Sequence, residues 1–243
     1  MAASSGPKRR TAAGAGRCGA RKTGGGANND PYAEVRAAIL AAALPDVPFD
    51  GWTGRSLRAA ARKAGISPGR ARLAFPGGTV DLVSYFIADG DRRMEAKLAR
   101  SDLAAMKVRE RIPFAVRTRL ELDADNREAL RRATAYLALP TSGTAGLRAL
   151  YGTVDAIWRA CGDTATDYNF YTKRLILAGV FSSTAAVWFG DESDGFERTW
   201  TFLDRRIADV MQFEKVKGAA EKAIARLPSP LGILARLRYP LGR

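Results

Sequence analysis

GWTGRSLRAAARKAGISPGRARLAFPGGTVDLVSYF, residues 51–86, decides the fold. Its period is helical throughout. One run extends from Ser56 to Ala64, Gly65 supplies a turn, and a second run extends from Ser67 to Phe75. A third begins at Val80 and carries Leu82, Phe86 and Met94 on one side. This is helix-turn-helix spacing. Arg58, Arg62, Lys63, Arg70 and Arg72 suit phosphate contacts. The second run, ISPGRARLAF, instead places apolar Ala71, Leu73 and Ala74 where groove reading needs polar side chains.

Working outward, Pro31 suits a first helical turn, and Val35, Ile39 and Ala43 continue at spacing four until about Leu44. The third run reaches about Leu103, and further helices are predicted over 111–123, 126–138, 144–161, 167–188 and 194–213. No stretch alternates long enough to be a strand, so the fold class is all-α. Residues 51–86 resemble the first domain of TetR-type repressors. That resemblance implies a TetR-like helical bundle whose second short helix enters the major groove and whose later helices form a ligand-responsive dimerising domain. Four segments follow: a basic tail over 1–30, a helix-turn-helix-like subdomain over 31–103, a ligand-binding and dimerisation domain over 104–213, and an amphipathic segment over 214–243.

Composition narrows the chemistry. The 243 residues contain no histidine, which removes Ser-His-Asp and Cys-His systems, the HExxH zinc helix and the Glu-x-x-His spacing of di-iron bundles. Cys18 and Cys161 are too few for a disulfide framework or a four-cysteine zinc site. Asp81, Asp89 and Asp91 stand beside Arg92 and Arg93 and read as a solvated, charge-balanced face, whereas Asp191, Glu192 and Asp194 read as helix-capping groups. No GxxxxGK[ST] loop occurs. We therefore expect no catalytic residues, no metal and no cofactor, and a binding protein whose chemistry belongs to a partner.

The formal charge is +14, from 39 basic and 25 acidic residues. Such an excess seeks the phosphate of nucleic acid or of an anionic membrane. Residues 1–29 hold basic side chains, no acid, and mostly Gly, Ala and Ser, a composition that cannot offset its ordering entropy. Towards the other end, Phe213, Val216, Ala220, Ala223 and Leu227 fall near one helix face, with Lys215, Lys217, Lys222 and Arg226 on the other. Pro228 and Pro230 interrupt it. Leu231, Ile233, Leu234, Leu237 and Tyr239 follow among arginines, a pattern that suits either the plane of an anionic bilayer or docking on the chain's own domain.

VDAIWRACGDTATDYNFYTKR, residues 154–174, is the second informative stretch. Gly162 ends one helix, and Asp163 with Thr166 or Asp167 offers oxygens to cap the next. Asp167, Phe170, Tyr171 and Arg174 then share a helix face. Periodicity leaves Phe170 and Tyr171 as either core residues or a stripe for a protein partner. The stretch carries Asp155, Trp158, Gly162, Asp163, Thr166, Asp167, Asn169, Tyr171, Thr172 and Arg174, followed by Thr184, Asp191, Thr199, Trp200, Phe202, Leu203 and Arg205. This series resembles the TetR-fold ubiquinone-biosynthesis accessory family, the lipid-binding partners of demethoxyubiquinone hydroxylase, over roughly residues 33–213.

The resemblance implies a patch that docks the di-iron hydroxylase, formed here by Asp155, Ile157, Asp167, Phe170, Tyr171 and Arg174. Phe170 stands where family members can have Trp, which keeps an apolar contact and loses the indole donor. The resemblance also implies a hydrophobic cavity for isoprenoid quinone lipids, with Leu137, Leu150, Val154 and Trp158 as its expected lining, and a homodimer. Leu227, Leu231, Ile233, Leu234, Leu237 and Tyr239 would contact the membrane. The expected location is the bacterial cytoplasm, peripheral on the inner membrane, or the mitochondrial matrix face in a eukaryote. The competing reading is a TetR-type ligand-responsive repressor acting through residues 56–75; nucleic acid is the less favoured partner because of the apolar second helix.

Overall fold

The computed structural model describes residues 30–163 and 168–225, without the side chains of Val108, 168–170 and 213–225. The described residues contain α-helices and short 3-10 turns and no strand, as the sequence predicts. In chain order the helices are α1 (Ala33–Ala43), α2 (Val47–Asp50), α3 (Gly54–Lys63), α4 (Pro68–Ala74) and α5 (Thr79–Leu98). They continue as α6 (Val108–Glu121), α7 (Arg127–Leu137), α8 (Ala145–Ala160), α9 (Tyr168–Phe189) and α10 (Glu197–Ala225).

Local chemistry sets the helix-turn-helix. Thr53 and Ser56 form a reciprocal capping box, so α3 starts two residues before the expected Ser56. Gly65 ends the turn at φ +68°, a conformation other residues adopt only with strain. Pro68 opens α4 behind the Ser67 cap. Arg36 Nε donates to the Ala74 carbonyl at 2.8 Å and ties α1 across the end of α4. Trp52 Nε1 donates to the Ala129 carbonyl at 3.0 Å, and its ring lies 5.4 Å from that of Phe86, so the loop before α3 is pinned to α7 and α5.

Helix α5 is the central strut, packed on α1, α6, α7 and α8. Its Leu82, Val83, Phe86 and Met94 are buried with Ile39, Val47, Leu120, Val154 and Ile157. Each such side chain removed from water contributes about 1.5–3 kcal/mol. It ends at Leu98, short of the expected Leu103, and a separate 3-10 turn capped by Asp102 follows at Leu103–Ala105. Helix α10 runs unbroken from Glu197 to Ala225, past the expected end near residue 213. The described residues contain no helix long and apolar enough to cross a membrane.

Candidate functional site

Helices α5 to α9 leave a cavity of about 540 Å³ between them. Its walls come from Ile87 on α5, Leu130 and Leu137 on α7, Ala149 and Leu150 on α8, and Phe181 and Phe189 on α9. That volume and apolar character match the range of small-molecule sites. Small side chains keep the space open. Gly146 faces the Leu137 carbonyl so closely that a Cβ would stand 2.6 Å from that oxygen, so α8 can approach α7 there only as glycine. Ser182 and Ala186 lie on the exposed side of α9, and Leu147, 72% exposed, stands at the rim.

Four polar side chains also line the cavity, Thr134 on α7, Ser182 on α9, and the two that meet at its inner end, Arg119 and Thr153. Arg119 is 1% exposed. Its Nε donates to Asp91 Oδ1 at 2.8 Å, its Nη1 to Asp123 Oδ2, and its Nη2 to the Ile87 carbonyl at 3.2 Å. Thr153 Oγ1 lies 2.9 Å from Asp91 Oδ2. Asp123 is also held by Arg93, which donates in addition to Asp89 and to the Leu122 carbonyl. Burial pushes the Asp91 carboxyl above its ordinary range against the pull of Arg119, while burial is outweighed at Arg119 by the two carboxylates, which raise it further. The reading of Asp91 as a solvated face is therefore corrected. Asp89 remains at the surface with Arg92, and Asp81 accepts from the Gly77 amide, but Asp91 points inward because Arg119 offers a buried counter-charge.

Of the four expected lining residues, the cavity brings together Leu137 and Leu150. Val154 is fully buried in the core instead, on the side of α8 that packs inward. Trp158 belongs to a different corner: its Nε1 donates to the Lys173 carbonyl at 3.3 Å, and the Lys173 ammonium sits 5.4 Å from its ring centroid. Ile87, Phe181 and Phe189 were missed because a cavity wall has the same periodicity as a filled core.

That corner joins α8 to α9. Gly162 closes α8 at φ +85°, as its position predicts. Arg174 is 4% exposed and donates from Nε to Asp155 at 2.8 Å and from Nη1 to Asp163 at 3.3 Å. Asp155 also pairs with Arg159 at 3.0 Å, and Asp163 with Lys173 at 2.9 Å. The expected docking face divides accordingly. Arg174 turns inward because two carboxylates compensate a buried guanidinium, and Ile157, fully buried, is core. Tyr171 is 68% exposed, and its neighbour one turn on, Leu175, is 76% exposed. Tyr151 on α8 adds a ring that is 47% exposed. Asp167, the side chain of Phe170, and Leu227, Leu231, Ile233, Leu234, Leu237 and Tyr239 lie outside the described residues.

Two further groups are structural. Asp191, 1% exposed, takes the capping role expected of it: it accepts from the amides and hydroxyls of Ser193 and Thr199 and locks the entry of α10. Although burial opposes its charge, those hydrogen bonds hold its carboxyl below the ordinary carboxylate range. Burial pushes the Cys161 thiol up to about 11, in spite of nearby Arg111, which makes it a poor nucleophile. Among the described residues, no group of three His, Cys, Asp or Glu side chains is placed to hold a metal ion.

Comparison with known proteins bears on both regions. The COQ9 family model matches residues 143–214, the span of α8, α9 and the first half of α10. Rat "Ubiquinone biosynthesis protein COQ9, mitochondrial" is 33% identical over 205 residues, covering 80% of this chain and 65% of the relative. The bovine protein of that name is 32% identical over 217 residues, covering 84% and 68%, and the human one is 31% identical over the same shares. The chain thus spans about two thirds of the length of these curated relatives. Among solved structures, a TetR transcriptional regulator from Nitrosomonas europaea superposes with a TM-score of 0.58 over 72% of this chain and 97% of that one. At 20% identity this likeness shows the fold, an all-α TetR-like bundle, and nothing of function.

Proposed function

The chain belongs to the COQ9 family, and from that premise we propose that it serves ubiquinone biosynthesis as a lipid-binding accessory protein rather than as an enzyme. It takes polyprenylated quinone intermediates from an anionic membrane surface into the cavity between α5 and α9, and presents them to the demethoxyubiquinone hydroxylase, whose di-iron centre performs the oxidation. The observation that carries this reading is the cavity itself, about 540 Å³ with walls of Ile87, Leu130, Leu137, Leu150, Phe181 and Phe189. Water-exposed prenyl surface costs about 25 cal/mol per Å², so a carrier works only if an apolar lining replaces the lipid around the tail.

The remaining parts of the reading follow the same surface. Tyr171 and Leu175 on α9 and Tyr151 and Leu147 on α8 are exposed, and in this reading they offer the hydroxylase apolar surface to grip, with Leu147 at the cavity rim. A homodimer through α9 and α10 belongs to this reading, as does membrane attachment through the basic amphipathic segment beyond Phe213. The rat, bovine and human relatives carry "mitochondrial" in their names, so the same proposal in a eukaryote places the chain on the matrix face, and in a bacterium on the inner membrane.

Mass spectrometry of small molecules that copurify with the protein tests the proposal. A prenylated aromatic in the extract is the expected result; protein that emerges empty and ignores anionic vesicles overturns it. The repressor reading draws on one specific feature, the exposed Arg55, Arg58, Arg62, Arg70 and Arg72 around the α3–α4 turn. Leu73, 58% exposed on α4, stands against it, and salt-dependent, sequence-selective binding to a palindromic duplex would decide in its favour.

A further inference from the structure

The polar end of the cavity is charge-balanced, and that balance restricts what kind of head group fits. Arg119 and Arg93 face Asp91 and Asp123, two positive charges against two negative ones, with Arg119, Asp91 and Asp123 all shut away from water. Asp89 and Arg92 extend the network outward as another matched pair. An anionic head group brought to Arg119 would therefore meet a guanidinium already neutralised, beside two carboxylates in a low-dielectric interior. Repulsion would exceed attraction there.

Hydrogen-bonding capacity nevertheless remains. A guanidinium carries five N–H donors. Arg119 spends Nε–H on Asp91, one Nη1–H on Asp123 and one Nη2–H on the Ile87 carbonyl, which leaves one donor on each Nη. The Thr153 hydroxyl has a single hydrogen, shared between Asp91 and the Ala149 carbonyl, and its oxygen keeps acceptor capacity at the cavity wall. Pure hydrocarbon would leave these groups unmatched, whereas a carbonyl, methoxy or phenol oxygen would meet them without adding charge.

We propose that Arg119 and Thr153 form a head-group subsite that selects electrically neutral, oxygen-bearing amphiphiles and discriminates against carboxylate-headed and phosphate-headed ones. The inference rests on the reading of the cavity as a lipid site and goes further, because it names what is read. Neutral oxygen has two ready sources, a prenylated benzoquinone or phenol and a diacylglycerol, and the test separates them.

The experiment is displacement of a neutral apolar fluorophore from the full chain by four competitors: a geranylated benzoquinone, a diacylglycerol, a fatty acid of matched chain length and squalene. At pH 8 the quinone is expected to displace the probe at a concentration about ten-fold below the fatty acid. Asp91→Asn keeps an acceptor for Arg119 but removes one negative charge, and should bring the fatty acid to within about three-fold of the quinone. Thr153→Val should weaken the quinone and leave squalene unchanged. A diacylglycerol equal to the quinone supports a subsite that reads oxygen alone, and a weaker one supports a subsite that also reads the ring. A wild-type protein that binds fatty acid as well as quinone, or an Asp91→Asn ratio that does not move, overturns the subsite and leaves the cavity reading intact. Failure of every competitor overturns both. Circular dichroism checks folding, and if Asp91→Asn does not fold, the Thr153→Val arm decides, an unchanged quinone affinity overturning the proposal.

Discussion

Arg119 lies against Gly90 so closely that a Cβ on that glycine would stand 2.5 Å from the guanidinium carbon. Glycine in mid-helix costs roughly 0.5–1 kcal/mol relative to alanine, so its presence inside α5 needs a reason, and the passage of a buried charge over the helix supplies one. The two residues are parts of one device. Gly90 makes room, Arg119 fills it, and Asp91 next door and Asp123, in the turn just past the end of α6, neutralise it.

Gly90→Ala should therefore destabilise the protein, although helix propensity alone predicts a gain. Displacing the guanidinium breaks buried ion pairs, and we expect a net loss of about 2–4 kcal/mol in urea denaturation. A variant as stable as the parent would show that Arg119 does not occupy this position.

The α8–α9 corner permits a separation of structural from docking residues. Arg174→Met leaves Asp155 and Asp163 without their shared buried partner and should cost about 3 kcal/mol. Tyr171→Lys alters a ring that is 68% exposed and should change stability by no more than about 0.5 kcal/mol, while abolishing pull-down of the hydroxylase. Denaturation curves and pull-downs on both variants check the contrast; a Tyr171→Lys protein that still captures the hydroxylase moves the docking face elsewhere.

The fold was legible in the sequence largely because its punctuation is chemical. Ser56, Gly65, Ser67 and Gly162 each satisfy a backbone requirement that can be read without a partner, and they place the helix-turn-helix and the α8 terminus, whereas the Thr53 cap, which starts α3 two residues earlier, escaped that reading. The candidate site was legible only in part. Leu137 and Leu150 line the cavity as expected, yet Val154, one turn from Leu150, closes into the core, because periodicity gives a face and not the depth behind it. Arg174 shares a helix face with Tyr171 by spacing and belongs to the docking patch by resemblance, but its two carboxylate partners lie 19 and 11 residues away on other elements, too far along the chain for helix spacing to reveal. A signal for Arg119 did exist. It follows Ile112, Ala115 and Val116 along the buried stripe of α6, with Asp123 four residues on, so charges stand in phase with the apolar face.

Acid should expose the role of Asp191. Its folded carboxyl titrates below the ordinary value of 3.8, so the unfolded chain takes up the proton first as pH falls. Its stabilisation is thus complete above about pH 5 and is lost as pH drops through the carboxylate range. Asp91, raised by burial, has the opposite sign: its penalty is absent when protonated in both states and grows as pH rises through its folded value. Asp191→Asn should therefore cost about 2 kcal/mol at pH 7, through lost charge-assisted hydrogen bonds to Ser193 and Thr199, with the difference from the parent shrinking towards pH 3. A difference that stays constant across this range would mean that the carboxyl is not held ionised by its partners.

Filling the cavity separates lipid occupancy from stability. Ala186 lines the cavity from the exposed side of α9, so a larger side chain there can enter the space without displacing core atoms. Ala186→Trp should leave the unfolding free energy from urea denaturation within about 0.5 kcal/mol of the parent, since an exposed helical position tolerates tryptophan and the ring gains apolar contacts with Phe181 and Phe189. The copurifying lipid, quantified by mass spectrometry per mole of protein, should fall several-fold. Overpacking of a filled core would instead show as a stability loss of about 1–3 kcal/mol. An undiminished lipid load in a stable Ala186→Trp protein would place the bound molecule outside the space between Leu137, Leu150 and Phe181.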